Sequence, residues 1–248
     1  MSDSTLVAHS QRFNCVKVDR AGLAQFATPQ ATSTWRPVPH VELVGTMLEQ
    51  AGDFGLTPVR EQYAVGRRGL ALFGVIDFQN GYKHADRQMA LGFRHSNDKD
   101  IALRINGGVH VFVCDNLSLS GETVAFKKHS RGLHLAEMIR EGLGKFLDVF
   151  KRFNAKIEEA EQAVISDDQA KVKLFDMRYK GILPVSLFDD AAANYFRATD
   201  LNYADSTPRT TWGLHNAVTR AVKALAPASQ FRTLIDVGRA FGFGSGAA

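Results

Sequence analysis

The 248-residue sequence predicts an α+β protein in which an antiparallel β-meander in the N-terminal half is followed by a helical C-terminal half. Apolar residues alternate with a period of two over much of residues 60–126, and from Gly132 onward they recur with helical spacing. Strands followed by helices are the usual order in α+β proteins. We expect an irregular N-terminal segment, a sheet region with one short helix, a helical region packed on it to form one domain, and a flexible tail, at residues 1–36, 37–131, 132–241 and 242–248.

The sheet region is predicted to begin with a short helix and to continue as strands. Apolar residues at helical spacing over residues 41–48 predict the helix, and Gly52 ends it. A compact apolar run at residues 70–77 predicts a buried strand. Alternating apolar residues at 88–94 and 101–105 predict two half-buried strands.

A hairpin is predicted at Asn106-Gly-Gly108, directly after the last of these strands. The tight turns of hairpins need positive φ angles, which glycine and asparagine adopt readily. The partner strand would then occupy residues 109–114.

The helical half is predicted to hold one long helix and several shorter ones. A single apolar stripe runs from Leu135 to about Val164. Ser166-Asp-Asp-Gln169 matches a capping box at the start of the next helix. Shorter helices are expected at residues 187–196, from Pro208 to Val222, and after an N-cap at Ser229.

The composition excludes several classes of protein. Hydrophobic residues make up 45% of the chain and aromatic residues 10%, which is too many for an extended disordered protein. No stretch approaches the roughly 20 apolar residues of a membrane-spanning helix, and the N-terminus lacks the features of a secretory signal. Cys15 and Cys114 are too few for a disulfide framework and have no metal-ligand spacing. We therefore expect a cytoplasmic protein that uses no membrane, metal or cofactor.

The net charge of +4 is concentrated in one part of the chain. Residues 60–131 contain 11 Lys/Arg and 7 Asp/Glu residues, whereas the remainder is neutral overall. A local basic excess is typical of proteins that bind polyanions, because each contact with a phosphate releases counterions. An excess of this size also arises by chance on ordinary solvated surfaces.

Alternation along the strands assigns side chains to the two faces of the sheet. If the apolar positions face the core, the second face carries Arg94, Arg104, His110 and Phe112 beside several small residues. This face could hold a nucleic-acid backbone with a base stacked on Phe112. Alternatively, the C-terminal helices cover it and the arginines lie at its rim, an arrangement favoured because the helices must pack somewhere.

Two predicted loops carry clusters of basic residues beside glycine. The first contains Arg67 and Arg68, on the turn before a strand. The second contains Lys127, Lys128 and Arg131, between the meander and the long helix. Because a helix N-terminus attracts anions, the second cluster is the stronger candidate for a phosphate contact. Exposed charge on a loop is otherwise simply solvated.

No established catalytic motif is present, so the sequence favours a non-catalytic protein. Cys114 could be a nucleophile at a strand end, but a free cysteine is more often a small buried side chain. Asp98 and Asp100 could bind Mg²⁺, although turns commonly use aspartate without any metal. His215 is expected to be a packed helix histidine bonded to a neighbour.

Three segments carry a family resemblance: Gly92-Phe-Arg-His-Ser-Asn-Asp98, Val111-Phe-Val-Cys-Asp-Asn-Leu117 and Thr211-Trp-Gly-Leu-His-Asn-Ala-Val-Thr219. Over roughly residues 35–225 the chain resembles the phage- and plasmid-related domain-of-unknown-function family nine-thirty-two. It departs from that family at Asp115-Asn116, where many members have an asparagine-glycine pair. The resemblance implies a mobile-element origin and transfers no activity, and it associates the chain with DNA metabolism only indirectly.

These features together predict a non-catalytic nucleic-acid-binding protein of phage or plasmid DNA metabolism, with single-stranded DNA as the partner and single-strand binding or annealing as the activity. One alternative is a protein-interaction or host-takeover factor whose partner is a second copy or a phage or host protein. Another is a metal-dependent hydrolase or nuclease that uses Asp98, Asp100 and histidines.

Overall fold

The predicted antiparallel meander is present as a six-stranded sheet in which each strand pairs with the next along the chain. The computed structural model describes residues 15–79, 87–112, 115–197 and 208–244, and Cys114 lies outside them. The α+β prediction is confirmed. The strands are β1 Val16–Val18, β2 Thr57–Gly66, β3 Ala71–Gln79, β4 Arg87–Ser96, β5 Leu103–Val111 and β6 Asn116–Lys127.

Helices form a layer on each face of this sheet. Those in the described residues are α1 His40–Asp53, α2 Leu135–Gln162, α3 Asp167–Tyr179, α4 Val185–Phe196, α5 Thr211–Val222 and α6 Pro227–Ala240. One core lies between the sheet and the pair α1 and α2, and the other lies between the sheet and α3 to α6. The capping box of Ser166 and Gln169 is confirmed. The last helix begins at Pro227, two residues before the predicted N-cap Ser229, because proline suits the first helical position.

Helix α2 extends along the whole sheet. Its 28 residues give a length of about 42 Å, compared with about 33 Å for a ten-residue strand. Its N-terminus follows β6, and its C-terminal part lies beside the start of β4, where Glu161 pairs with Arg87. Phe146, Phe150 and Phe153 lie on its buried stripe. In the described part of the chain, no helix has the length and apolar content needed to cross a membrane.

The hairpin predicted at Asn106-Gly-Gly108 is wrong, because these residues lie inside β5 and pair with β4. A Cβ atom on Gly107 would lie only 2.7 Å from Cδ2 of Phe146 in α2. This glycine therefore admits a helix side chain at close range instead of reversing the chain. The turn comes after β5, where Asp115 adopts a φ of 48°.

The structure also differs from the sequence prediction near both termini. The segment predicted to be irregular contains β1, which pairs with β2. At the other end, Phe243 of the predicted flexible tail is 3% exposed and packs against Trp212 and Phe153. Nζ of Lys156 donates to two carbonyl groups of the segment 242–244. This segment is therefore part of the packed domain, whereas residues 245–248 lie outside the described residues.

Candidate nucleic-acid interface

The strand order collects most of the predicted binding residues at one end of the sheet. In an antiparallel meander, alternate connections lie at the same end. The β2–β3 and β4–β5 connections therefore share an end with the last residues of β6. This end, which we call the basic end, carries Lys99 and seven of the eight predicted binding residues: Arg67, Arg68, Arg94, Arg104, Lys127, Lys128 and Arg131.

The centre of the basic end is a row of side chains across three strands. Arg94 of β4 lies opposite Arg104 of β5, which in turn lies opposite Phe126 of β6. The guanidinium carbon of Arg104 is 5.1 Å from the ring centroid of Phe126, and that of Arg94 is 5.5 Å from the ring centroid of Phe231 in α6. Both arginines are half-buried, whereas Phe126 is 51% exposed. The row therefore combines cations with an accessible aromatic ring.

These two arginines lie among other positive charges. Burial lowers the pKa of Arg94, and the like charges of Arg104 and Arg232 lower it further. Burial and the charge of Arg239 likewise lower the pKa of Arg104. Asp236 opposes both shifts, yet it also pairs with Arg239 at 3.2 Å. Among the described residues, Nε of Arg94 and Nε of Arg104 have no hydrogen-bond partner, so this corner suits a bound anion.

The remainder of this sheet face is covered by the C-terminal helices, which is one of the two arrangements that the sequence left open. Ala90 belongs to the core that α3 to α6 form with the sheet. A Cβ atom on Gly92 would lie 3.0 Å from the ring of Phe231 in α6, so a small residue is needed there. Arg94 and Arg104 lie at the rim of the covered area. A polyanion can therefore reach the corner but cannot cross the whole face.

Phe112, the predicted stacking residue, lies at the opposite end of the sheet. It follows β5 and is eight residues from Arg104, a separation of about 26 Å along an extended strand. Its ring packs edge-on against His110 at a centroid distance of 5.8 Å. The structure does not bring Phe112 to the arginines. The sequence could not show this, because alternation assigns a residue to a face of the sheet but not to one of its ends. Phe126 occupies that position, and its place directly before two lysines was the signal that could have identified it.

The two arginines of the β2–β3 turn have different environments. Both have positive φ angles, 53° for Arg67 and 56° for Arg68. Arg67 pairs with Asp98 at 2.9 Å and also with Asp100, so the two candidate magnesium ligands are already engaged by a cation. No group of three metal-ligating side chains forms within the described ranges. Arg68 is exposed and has no ion pair with another described residue, which leaves it available to an anion.

The second predicted basic cluster lies beside the N-terminus of α2, as expected from the sequence. Lys127, Lys128 and Arg131 are all exposed, and in the part of the chain that the structure describes none of them forms an ion pair. Helix α2 begins at Leu135, and its N-cap residue His134 makes no side-chain capping bond. The first backbone N–H groups of the helix are therefore not occupied by that side chain.

Three buried histidines lie directly behind the basic end. Nε2 of His40 is 2.9 Å from the carbonyl oxygen of Gly69, so this nitrogen must carry a proton. Nδ1 of neutral His40 therefore accepts from Nε2 of His95, at 2.9 Å. The ring of His129 stacks on that of His95, with centroids 5.2 Å apart and planes 11° apart. The hydrogen bond of His40 to Gly69 thus sets the tautomers of His40 and His95.

The histidine cluster is uncharged near neutral pH. Burial lowers the pKa of His95 well below its ordinary value, and the neighbouring His40 and His129 lower it further. Burial also lowers the pKa of each of these two neighbours. The sequence analysis missed the cluster because its members come from three distant segments, and period-based patterns do not relate such segments. Two of the three histidines, His95 and His129, lie within the basic stretch at residues 60–131, and that was the available signal.

A second titratable cluster lies at the end of the sheet opposite the basic end. The ring nitrogens of His110 lie 3.0 Å from the Asp77 carboxylate and 2.6 Å from the Asp115 carboxylate. Only an imidazolium donates from both nitrogens. Burial lowers the pKa of His110, but the hydrogen bonds to Asp115 and Asp77 outweigh it and leave the pKa above its ordinary value. Arg60 completes the cluster at 2.9 Å from Asp115.

His215 is packed, as predicted, but the described residues do not include the hydrogen-bonding neighbour that the sequence predicted. It is fully buried and stacks on Trp212 at 4.9 Å, with Phe241 and Phe243 edge-on to it. Neither ring nitrogen has a hydrogen-bond partner among the described residues. Burial lowers its pKa to about 3. His215 therefore serves as an aromatic core residue and stays neutral.

No family model, curated protein or solved structure matches this chain. The resemblance to the phage- and plasmid-related family therefore stays a prediction that rests on the quoted motifs. Function has to be argued from the geometry of the basic end.

Proposed function

We propose that the protein is a non-catalytic nucleic-acid-binding protein that holds a single strand along the basic end of its sheet. The observation that carries this proposal is the row of Arg94, Arg104 and Phe126. Guanidinium groups bind phosphates, and an exposed aromatic ring stacks with any base. Its place in phage or plasmid DNA metabolism depends on the family resemblance alone.

The charges around this row support a polyanion as the ligand. Arg94 and Arg104 are held beside each other and beside further arginines of α6, with Asp236 as the carboxylate that acts on both. Like charges directly opposite on neighbouring strands destabilise a sheet. A bound phosphate backbone would remove that repulsion. The exposed Lys127 and Lys128, at the end of β6, would extend the contact along the strand.

The test is a salt titration of binding to a labelled single-stranded oligonucleotide, followed by fluorescence anisotropy. On a logarithmic scale the affinity of the wild type should fall linearly with salt, with a slope of roughly 0.7 per phosphate contact. Arg104→Gln and Lys128→Gln should each weaken binding and reduce that slope by about 0.7. An affinity that ignores salt, or no binding at about 50 mM salt, would overturn the proposal.

The aromatic residue gives a second, independent readout. Phe126→Ala should weaken binding by about 1–3 kcal/mol while leaving the salt slope unchanged, because stacking releases no counterions. Lys151→Gln is the matched control for Lys128→Gln. Lys151 is an exposed cation of α2 beside Met89, at the opposite end of the sheet, so its loss should change neither affinity nor slope.

A second candidate function, self-association, is favoured by an exposed apolar patch on α3 and α4. Phe175 and Tyr179 are 64% and 82% exposed and stack on each other, and Val185 beside them is 65% exposed. Such patches often mark protein interfaces. If a second copy covers this patch, Phe175→Ser with Tyr179→Ser should convert a dimer to a monomer in light scattering. A wild-type protein that is monomeric at all concentrations would exclude it.

A further inference from the structure

A cavity of about 370 Å³ opens at the basic end, between the N-terminal segment and the β4–β5 turn. Trp35, Ile101 and Ala102 line its apolar part, and Lys99, Lys128 and His129 line its polar part. Small-molecule sites are typically of this size and combine apolar walls with a few polar groups. The cavity therefore has the dimensions and composition of a ligand site.

The polar groups of the cavity include donors that the protein leaves unused. His129 is only 7% exposed, and neither of its ring nitrogens has a hydrogen-bond partner among the described residues. The same holds for Nε1 of Trp35. A buried polar group without a partner costs about 1–3 kcal/mol, so such groups are rare unless a ligand or water satisfies them.

The charges at the cavity favour an anionic ligand. Nζ of Lys99 lies 4.9 Å from the ring centroid of Trp35, and the exposed Lys128 also lines the cavity. Asp100 is the carboxylate that lines the cavity in the described part of the chain, and it is engaged by Arg67. Two lysines, an indole N–H and an imidazole N–H thus form a set of donors for an oxyanion.

The cavity lies at the same end of the sheet as the row of arginines. Ala102 lies two residues before Arg104 on the same face of the chain, a separation of about 7 Å. On the neighbouring segment, Lys128 follows Phe126 by two residues. A strand held at Arg104 and Phe126 could therefore extend toward the cavity with its next nucleotide.

We propose that this cavity binds the phosphate-bearing terminal nucleotide of a single strand, with the base against Trp35 and the phosphate accepting from Lys99, Lys128 and His129. The inference rests on the proposed function, since it assigns the end of the same bound strand. It goes further in predicting that the protein distinguishes a strand that ends in a phosphate from one that ends in a hydroxyl.

The cavity is tested without any strand, by calorimetric titration with a nucleoside monophosphate and with the matching nucleoside. The wild type should bind the monophosphate at least about tenfold more tightly, because charge-assisted hydrogen bonds contribute about 1.5–3 kcal/mol each. His129→Phe keeps a ring that can stack but removes both nitrogens, and Trp35→Phe removes the indole N–H together with one of the two fused rings. Each should lower the affinity for the monophosphate by about fivefold or more.

Two further variants separate binding from folding. Lys99→Gln changes an exposed side chain, so this variant should keep the unfolding temperature of the wild type. A loss of monophosphate binding at an unchanged unfolding temperature then reports on the cavity itself. His134→Gln is the matched control, because His134 is an exposed histidine outside the cavity and its loss should have no effect. Equal binding of nucleoside and monophosphate, or unchanged binding in all three cavity variants, would overturn the inference.

Oligonucleotides with and without a terminal phosphate, at either the 5′ or the 3′ end, then separate the two proposals. Tighter binding of one phosphorylated strand supports both. Equal binding of all strands, with no binding of the monophosphate, overturns the cavity site and leaves the proposed function standing. Binding of the monophosphate without binding of any strand overturns the proposed function and, with it, the assignment of a strand end, and leaves only a mononucleotide site.

Discussion

Arg94 and Arg104 lie directly opposite each other on β4 and β5, and both residues are half-buried on the same face of the sheet. Burial and mutual repulsion lower the pKa of Arg94. Stability alone does not account for such a pair, because like charges at directly opposed positions are unfavourable. Replacing one arginine of the pair should therefore affect binding and stability in different directions.

Arg94→Met should leave the unfolding temperature unchanged or raise it slightly, while weakening the binding of single-stranded nucleic acid. Methionine keeps the contact with the ring of Phe231 and removes one of the two repelling charges. Added salt should stabilise the wild type more than the variant, because it screens a repulsion that only the wild type has. Calorimetric unfolding at low and high salt measures both effects.

Arg87→Met provides the contrast for that substitution. The Arg87 side chain is completely buried, pairs with Glu161 and donates to Asn154 at 3.2 Å. Its removal leaves a carboxylate and a buried amide without this partner, which should cost about 3 kcal/mol. If Arg94→Met destabilises the protein as much as Arg87→Met does, the Arg94 side chain is structural and the argument from repulsion fails.

The fold was predictable from local patterns wherever one pattern had a single physical meaning. Alternation along β4 and the apolar stripe of α2 each have one, and both elements are present. Asn106-Gly-Gly108 is compatible with two structures, because glycine serves both tight turns and close packing. The choice depends on Phe146 in α2, which lies 39 residues beyond Gly107. A local pattern does not contain that information.

The basic end was predictable in composition but not in its detailed contacts. Charge counting located the stretch, and the meander topology brought its loops together. The neutralisation of Arg67 by Asp98, the contribution of Arg232 and the stacking of His129 on His95 all depend on tertiary packing. Periodicity relates residues within one element and does not relate one loop to another.

Gly238→Ala should destabilise the protein by about 3 kcal/mol, because α6 crosses β6 at very short range there. A Cβ atom on Gly238 would lie 2.1 Å from the carbonyl oxygen of Leu119, and the backbone would have to move. Gly45→Ala is the control, since no atom lies within 4 Å of its Cβ position on α1. That substitution should stabilise the protein by about 0.5–1 kcal/mol through helix propensity. Urea unfolding of both variants measures these two changes in stability. A Gly238→Ala variant as stable as the wild type would contradict this packing.

Asp77→Asn should lower the pKa of His110. The raised pKa depends on hydrogen bonds to Asp115 and Asp77, which oppose the effect of burial, and an amide in place of one carboxylate leaves burial less opposed. NMR titration of the His110 ring protons measures the change. Asp98→Asn, which alters a carboxylate at the other end of the sheet, should leave the His110 titration where it is. An unchanged pKa in Asp77→Asn would mean that the imidazolium does not depend on this carboxylate.

His215→Phe should make the protein less sensitive to acid. Burial lowers the pKa of His215 from 6.5 to about 3 in the folded state, so only the unfolded chain takes up a proton between these values. The free energy of unfolding of the wild type therefore falls as the pH drops below about 6.5, by about 1.4 kcal/mol per pH unit from this group. Phenylalanine preserves the stacking on Trp212 and cannot take up the proton. Between about pH 8 and about pH 5, urea unfolding should show the variant losing about 2 kcal/mol less stability than the wild type. Equal losses in the two proteins would mean that His215 has a proton-stabilising partner in the folded state.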